Sequence, residues 1–143
     1  MTTKTTVSAV EHASMVARKW TGTIAEEFDT EDLEFVYGVL RAWLHTVRDR
    51  LTIAAAAHFS AQLPDLIRGV FFAGWDPNAV PLKYNAREYS VRFAREANIA
   101  VQDVGKATAT TTSALSRLLP AAQIDKVLGQ LPDDIRLLLQ ARD

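Results

Sequence analysis

The segment AQLPDLIRGV occupies residues 61–70, and a near copy, GQLPDDIRLL, occupies residues 129–138. Both contain Gln-Leu-Pro-Asp, one variable residue, and then Ile-Arg. A residue before proline avoids the α region, and proline suits the first turn of a helix. Each copy therefore predicts one helix that ends and another that begins. The aspartate after each proline would repel an anion at that helix start, so the motif predicts a structural joint used twice rather than an anion-binding site.

The two joints indicate an internal duplication. Leu63 and Leu131 lie 68 positions apart, and the same offset pairs Leu51 with Leu119. It needs no gap over about thirty residues, which is the sequence signature of a repeated unit. Further upstream, VARKW at 16–20 is similar to FAREA at 93–97, but 77 positions separate them. This second offset predicts about nine extra residues in the first copy, within TGTIAEEFDTE.

Apolar residues recur with helical periodicity along nearly the whole chain, which favours an all-α fold. We expect a single domain, residues 1–143, built from two tandem four-helix repeats at about 7–74 and 86–143. A connecting loop at 75–85 would join the repeats, which would share one core. The eight predicted helices cover about 7–20, 29–51, 52–62, 64–74, 86–97, 100–118, 120–130 and 132–142.

Several helix ends have recognisable caps. Asp29 or Thr30 is predicted to cap the second helix, and Asn85 with Glu88 forms a capping box for the fifth. Apolar positions at spacings of three and four are predicted to face the core. They include Val10, Leu33, Tyr37 and Ile53, with Ile24 and Phe28 anchoring the segment after the first helix.

The two long helices differ in a way that predicts different burial. Phe35, Val39 and Trp43 form a second apolar stripe on the first of them, where the second carries Asp103, Ala107 and Thr111. We therefore expect burial on two sides of the first long helix and on one side of the second. Thr108 and Thr112 occupy core-facing positions on the second. Their hydroxyls can bond to a carbonyl one turn earlier, which predicts a shallowly buried helix; a polar groove is the alternative.

Composition excludes several classes of function. The 143 residues include no cysteine, so disulfides, thiolate metal sites and thiol catalysis are excluded. The net charge of -1 argues weakly against nucleic-acid binding, although residues 1–76 carry a net -3 and residues 77–143 a net +2. No signal-peptide pattern or membrane-spanning apolar run is visible. We expect a cytoplasmic protein that does not enter a membrane.

No pattern of catalytic or metal-binding residues stands out. His45 and His58 fall away from the apolar stripes and are expected at the surface. His45 and Asp49 lie one turn apart and could form an oriented base, but no nucleophile accompanies them. The chain has no helical histidine–carboxylate spacing for a metal and no glycine-rich phosphate loop. We therefore predict no catalytic, cofactor-binding or metal-binding residue.

The mid-chain segment GWDPNAVPLKYN is the best predicted recognition surface, because it combines aromatic and charged groups outside the helices. Trp75 within it can serve either the core or a ligand contact. The predicted interaction surface comprises Trp75, Asp76, Lys83, Tyr84, Arg87, Phe35 and Trp43. The chain has more large apolar residues than its predicted core stripes account for. We therefore expect a non-enzymatic scaffold or interaction module that binds another protein or itself as a homo-oligomer.

Two other functions stay open. A nucleic-acid-binding or regulatory role would use the basic second half, through Lys83, Arg87, Arg92 and Arg95. An enzyme acting through His45 or the threonine-lined face is the weakest alternative.

Four short motifs carry a resemblance to a known family. They are Gln62–Leu63–Pro64, Gly74–Trp75–Asp76–Pro77, Pro81–Leu82–Lys83 and Gln130–Leu131–Pro132. From roughly Met15 to Leu139, the chain resembles the bacterial proteins grouped as domain of unknown function 2267. The resemblance implies a duplicated all-helical fold and brings no established activity or cofactor. The threonines at 108–112 depart from the family, in which that helix is richer in alanine and leucine.

Overall fold

A computed structural model of the chain describes residues 7–140, and this part is helical and contains no strand. The predicted all-α class is confirmed. The sequence predicts that the last helix continues to residue 142, and residues 141 and 142 lie outside the described part. Within that part the helices are α1 Ser8–Phe28, α2 Leu33–Arg48, α3 Ile53–Ser60, α4 Asp65–Phe72, α5 Ala86–Ala97, α6 Val104–Leu118, α7 Ala121–Leu128 and α8 Asp133–Leu139, with a 3-10 turn at Val101–Asp103 before α6.

The Gln-Leu-Pro-Asp joints form as predicted. Leu63 and Leu131 are buried, and α4 and α8 each begin at the aspartate after the proline. Each proline is the N-cap residue instead of the first helical one. Each joint also carries an ion pair, with Arg68 3.7 Å from Asp65 and Arg136 2.5 Å from Asp133. The motif therefore ends one helix and starts the next, which supports its structural interpretation.

Helix α1 is longer than its periodicity predicts. It continues past Trp20 to Phe28, where Asp29 adopts a left-handed conformation with φ of 51° and its backbone N–H caps the helix. Asn98 ends α5 in the same way, with φ of 57°. Asp29 thus ends α1 and does not cap α2; Asp32 caps α2 by accepting a hydrogen bond from the Phe35 backbone N–H. The polar caps fit because Asp and Asn tolerate this conformation better than most side chains.

The left-handed caps also change how α1 compares with α5. Aligning Asp29 with Asn98 pairs buried Trp20 with buried Tyr89. The extra length of α1 then lies at its N-terminal end, before Ala17. The predicted insertion after Trp20 is wrong, because TGTIAEEF continues the helix and buries Ile24.

At the N-terminal end of α2, the buried face of the helix is rotated away from the predicted apolar stripe. Val36, Val39 and Leu40 are fully buried there, whereas Leu33 and Tyr37 are 56% and 45% exposed. The buried arc lies between the two apolar stripes of the helix, so the outer edge of the first stripe faces solvent. Val10 and Ile53 were also predicted to face the core and are likewise exposed.

Helices pack in a reciprocal pattern. Helix α1 lies mainly against α6, and α5 lies mainly against α2, so each first helix packs on the long helix of the other predicted repeat. Helix α4 packs on α2 and α8 on α6, each on the long helix of its own predicted repeat, while α3 meets α7. One cluster of buried residues draws on all eight of these helices. The packing matches what the duplication would produce, and the duplication itself stays a prediction.

Helix α6 is buried on two sides, contrary to the prediction of one side. Ala107 and Thr111 are buried, as are Thr108 and Thr112, so the prediction of shallow burial is wrong and these three threonines face the core. Thr110 of the same stretch lines two surface depressions. The small side chains allow α1 and α2 to pack closely on this helix. The predicted return bond forms at Thr112, whose hydroxyl donates to the Thr108 carbonyl at 2.9 Å, whereas the Thr108 hydroxyl bonds to that of Tyr89. Thr111, for which no such bond is predicted, donates to the Ala107 carbonyl at 2.8 Å.

Candidate functional site

Two residues of the predicted interaction surface are buried, and their inclusion is wrong. Trp43 has no exposed surface, and its indole Nε1 donates to Thr112 Oγ1 at 2.9 Å. The Tyr84 hydroxyl donates to the Thr46 carbonyl, and Arg92 lies over the Tyr84 ring at 4.8 Å. Burial, reinforced by the Asp49 carboxylate, raises the pKa of Tyr84 above its ordinary value. Both aromatic side chains therefore hold helices together instead of facing a partner.

The remaining predicted surface residues do not share one set of neighbours. Trp75 is half-buried against Phe72, with ring centres 5.1 Å apart, and Phe35 packs edge-on against Phe28 at 5.1 Å. The other three, Asp76, Lys83 and Arg87, are exposed. The Trp75 Nε1 atom is buried and has no hydrogen-bond partner among residues 7–140. The half-burial of Trp75 supports its role in packing, while its role in recognition stays a prediction.

His45 lies in the interior, which corrects its expected surface position. Its Nδ1 donates to Glu96 Oε1 of α5, and its Nε2 donates to the Val70 carbonyl of α4 at 2.6 Å. Asp49 is not its partner, since Asp49 accepts from Arg48 Nε at 2.8 Å. Both ring nitrogens are therefore occupied by hydrogen bonds within the fold, so neither is free to serve an external reactant.

Arg48 joins His45 in capping helix α4. Its Nη1 donates to the Phe71 and Ala73 carbonyls at 2.9 and 2.7 Å. The last carbonyls of a helix lack partners within the helix, and cations near that end are favoured by its dipole. These two side chains therefore hold the C-terminal end of α4 on α2. A helix with two apolar stripes is central in its fold, and that signal could have predicted burial of its polar residues.

Sequence analysis did not identify the groove between α3 and α7. Its volume is about 240 Å³, and buried Phe59 and Val127 form its floor. On its rim, Lys126 Nζ donates to His58 Nε2 at 3.0 Å. The side chains lining it are Thr52, Ala54, Ala55, His58, Phe59, Gln123, Lys126, Val127 and Gln130.

The electrostatic character of this α3–α7 groove is positive. No carboxylate is among the residues that line it, and Lys126 carries a full charge beside the polarisable His58 ring. The exposed positions of these two helices include small side chains, such as Ala57 on α3 and Ala122 on α7, together with Ile53 and Asp125. Since alanine loses almost no side-chain entropy on burial, the alanine positions can be covered at low cost. His58 lies at the surface, as predicted, but its neighbour is the residue 68 positions away.

The described part of the chain has two further properties that bear on function. No group of three or more His, Cys, Asp or Glu side chains between residues 7 and 140 could hold a metal ion. In the same range, no helix combines the length and apolar character needed to cross a membrane.

A comparison with protein families supplies an independent result. The family model described as "Uncharacterized conserved protein (DUF2267)" matches residues 17–138. The chain belongs to this family. The family match begins where α1 becomes comparable with α5 and includes α3, α7 and the capping residues His45 and Arg48. No curated protein matches the chain. The family description states no activity, so the functional proposal rests on geometry.

Proposed function

We propose that this protein is a non-enzymatic interaction module whose α3–α7 groove binds a segment of a partner protein. The segment would carry a large apolar side chain next to a carboxylate. The observation that carries this proposal is the combination in one groove of an apolar floor, a cationic rim and no lining carboxylate. Such a pairing of apolar contact with charge complementarity is typical of specific recognition.

The size of the groove favours a side chain over a cofactor. Drug-sized ligands occupy pockets of roughly 300–1,000 Å³, and the groove offers about 240 Å³. One leucine- or phenylalanine-sized group would contact Phe59 and Val127 at the floor. The carboxylate of the partner would then accept hydrogen bonds from Lys126 on the rim, and the amides of Gln123 and Gln130 can bond to its backbone.

The internal polar contacts support a non-enzymatic role. His45 Nε2 and Arg48 Nη1 donate hydrogen bonds to carbonyls at the end of α4. The Asp49 carboxylate accepts from Arg48 Nε and neutralises its charge. These are the groups from which the chain could have built an oriented base. Their use in packing leaves binding as the function that the geometry favours.

A displayed library of random peptides tests this proposal. Peptides that enrich on the wild-type protein should pair a large apolar residue with a neighbouring Asp or Glu. Their binding should be lost in Ala54→Trp, which fills the groove from an exposed position, and in Lys126→Glu, which reverses the rim charge. Lys83→Glu makes the same charge change at an exposed position outside the groove and should leave binding intact.

Two outcomes would overturn the proposal. One is that no peptide enriches on a folded wild-type sample. The other is that enriched peptides bind Ala54→Trp as well as they bind the wild type.

A further inference from the structure

A second cationic surface lies away from the α3–α7 groove. Arg41 of α2 and Arg92 and Arg95 of α5 line one shallow depression of about 390 Å³. The remaining lining residue is Glu96. We call these four residues the arginine depression.

The carboxylate of Glu96 is already engaged by His45 and Arg41. Its Oε1 accepts from His45 Nδ1 beneath it and lies 3.3 Å from Arg41 Nη1. Within residues 7–140, Arg92 and Arg95 have no carboxylate oxygen within 4 Å. The arginine depression therefore holds more positive than negative charge, and the close approach of like charges favours an anion that would relieve it.

Two of the arginines are oriented by their neighbours. The guanidinium of Arg92 lies over the Tyr84 ring, whose hydroxyl is fixed by the Thr46 carbonyl. Stacking uses the face of a guanidinium and leaves its N–H edge available for hydrogen bonds. Arg41 is held by Glu96. Planar donors fixed in this way suit the bidentate recognition of phosphate oxygens, which lysine supplies less well.

The surroundings limit the size of the anion. Asp32 and Glu34 line the neighbouring depression, which also includes Arg41 and Glu96. These carboxylates end the positive surface on that side, and Glu88 lies exposed one turn before Arg92. A polyanion such as a nucleic acid needs a continuous basic surface. The bounded charge instead fits one compact anionic group.

We propose that the arginine depression binds the phosphate group of a soluble phosphate monoester. The three arginines would supply the donors, and Val91 of α5 would give apolar surface for the rest of the ligand. Val91 is 40% exposed on the same helix. This site is independent of the proposed protein-docking groove, because it uses α2 and α5 instead of α3 and α7.

Calorimetric titration with phenyl phosphate and with inorganic phosphate, at low ionic strength, tests the proposal. Phenyl phosphate should bind with one site per chain. Arg95→Gln and Arg92→Gln should each weaken its binding by about tenfold, the effect of losing one charge-assisted contact. Arg87→Gln is the matched control, since Arg87 is exposed on the same helix but does not line the depression. Its affinity should stay within about twofold of the wild type. Circular dichroism would establish that each variant is folded.

Other anion sources are separate arms of the same experiment. The proposal is overturned if neither phosphate probe binds saturably to folded wild type, or if Arg87→Gln weakens binding as much as Arg95→Gln does. It is also overturned if only a single-stranded oligonucleotide binds, with affinity that rises with its length. Binding only to vesicles that contain phosphatidic acid would equally overturn it, in favour of a membrane surface.

Discussion

At the scale of single residues, two buried aromatic side chains explain why α6 places threonines in the core. Trp43 and Tyr89 reach across the core from α2 and α5 and meet the hydroxyls of Thr112 and Thr108 on α6. Alanine or leucine at these positions would remove the acceptor of a buried indole N–H and a hydrogen-bond partner of a buried phenol, which is costly. The threonines are thus the polar partners of two large aromatic side chains.

Replacing Thr112 with valine should therefore destabilise the protein. The change keeps the shape of the side chain but removes the acceptor for Trp43 Nε1. We expect the free energy of unfolding in urea to fall by about 1–3 kcal/mol. Thr111→Val is the matched control, because the Thr111 hydroxyl bonds only to a carbonyl of its own helix. Equal losses in the two variants would contradict this role of Thr112.

The His45 cap gives a second prediction. His45→Leu leaves the Val70 carbonyl and the Glu96 carboxylate without their donor. The free energy of unfolding should fall by about 2–3 kcal/mol, somewhat less than for a fully buried pair because Glu96 is partly exposed. His58→Leu, at an exposed position, should change it by less than about 0.5 kcal/mol. If His45→Leu lowered the free energy of unfolding by less than about 0.5 kcal/mol, the His45 cap would contribute nothing measurable to stability.

Ionisation of Tyr89 should make stability fall at high pH. Burial raises the pKa of the Tyr89 phenol from 10.0 to about 12. Above pH 10 the unfolded chain loses this proton while the folded one retains it, so the stability present below pH 10 is lost as pH rises towards 12. The slope attributable to one such group approaches about 1.4 kcal/mol per pH unit. Urea unfolding from pH 9 to 11.5 should show a shallower decline in Tyr89→Phe than in the wild type; parallel declines would refute the assignment.

At the scale of helices, local signals predicted many boundaries and missed those that packing decides. The capping box of Asn85 and Glu88 forms, and α5 begins and ends as predicted. The predicted first helix ends at residue 20, and Thr21, Gly22 and Thr23 beyond it have weak helix propensity. Burial of Ile24 and Ala25 against the core overrides that weak propensity.

Glycine substitutions at Asp29 and Asn98, the left-handed caps of α1 and α5, test the helix ends. Asp29→Gly should raise the thermal midpoint, because glycine adopts positive φ without a steric penalty. The gain should be about 0.5–1 kcal/mol, and smaller for Asn98→Gly because asparagine tolerates this conformation best. Asp103→Gly is the control at negative φ and should destabilise. A decrease in stability of Asp29→Gly would argue against the left-handed cap.

At the scale of the whole molecule, the functional surfaces arise only when distant segments meet. His58 and Lys126 each look like a solvated charge in sequence, and folding alone brings them to 3.0 Å across the α3–α7 groove. The same holds for Arg41 beside Arg92 and Arg95. Apolar periodicity, in contrast, predicted the burial of Trp43 as part of a second stripe but could not tell a core stripe from a docking face. Fold class was therefore within reach of the sequence, and the candidate sites were not.

The most direct test of the α3–α7 groove is an NMR titration of the wild-type protein with N-acetyl-leucine. This probe joins one apolar side chain to one carboxylate, and N-acetyl-leucinamide is its uncharged counterpart. We predict saturable shifts of backbone amides at Ala54, Phe59, Lys126 and Gln130, with weaker binding of the amide. Shifts confined to the segment from Trp75 to Arg87, or none at saturating probe, would contradict the assignment of the groove as the docking site.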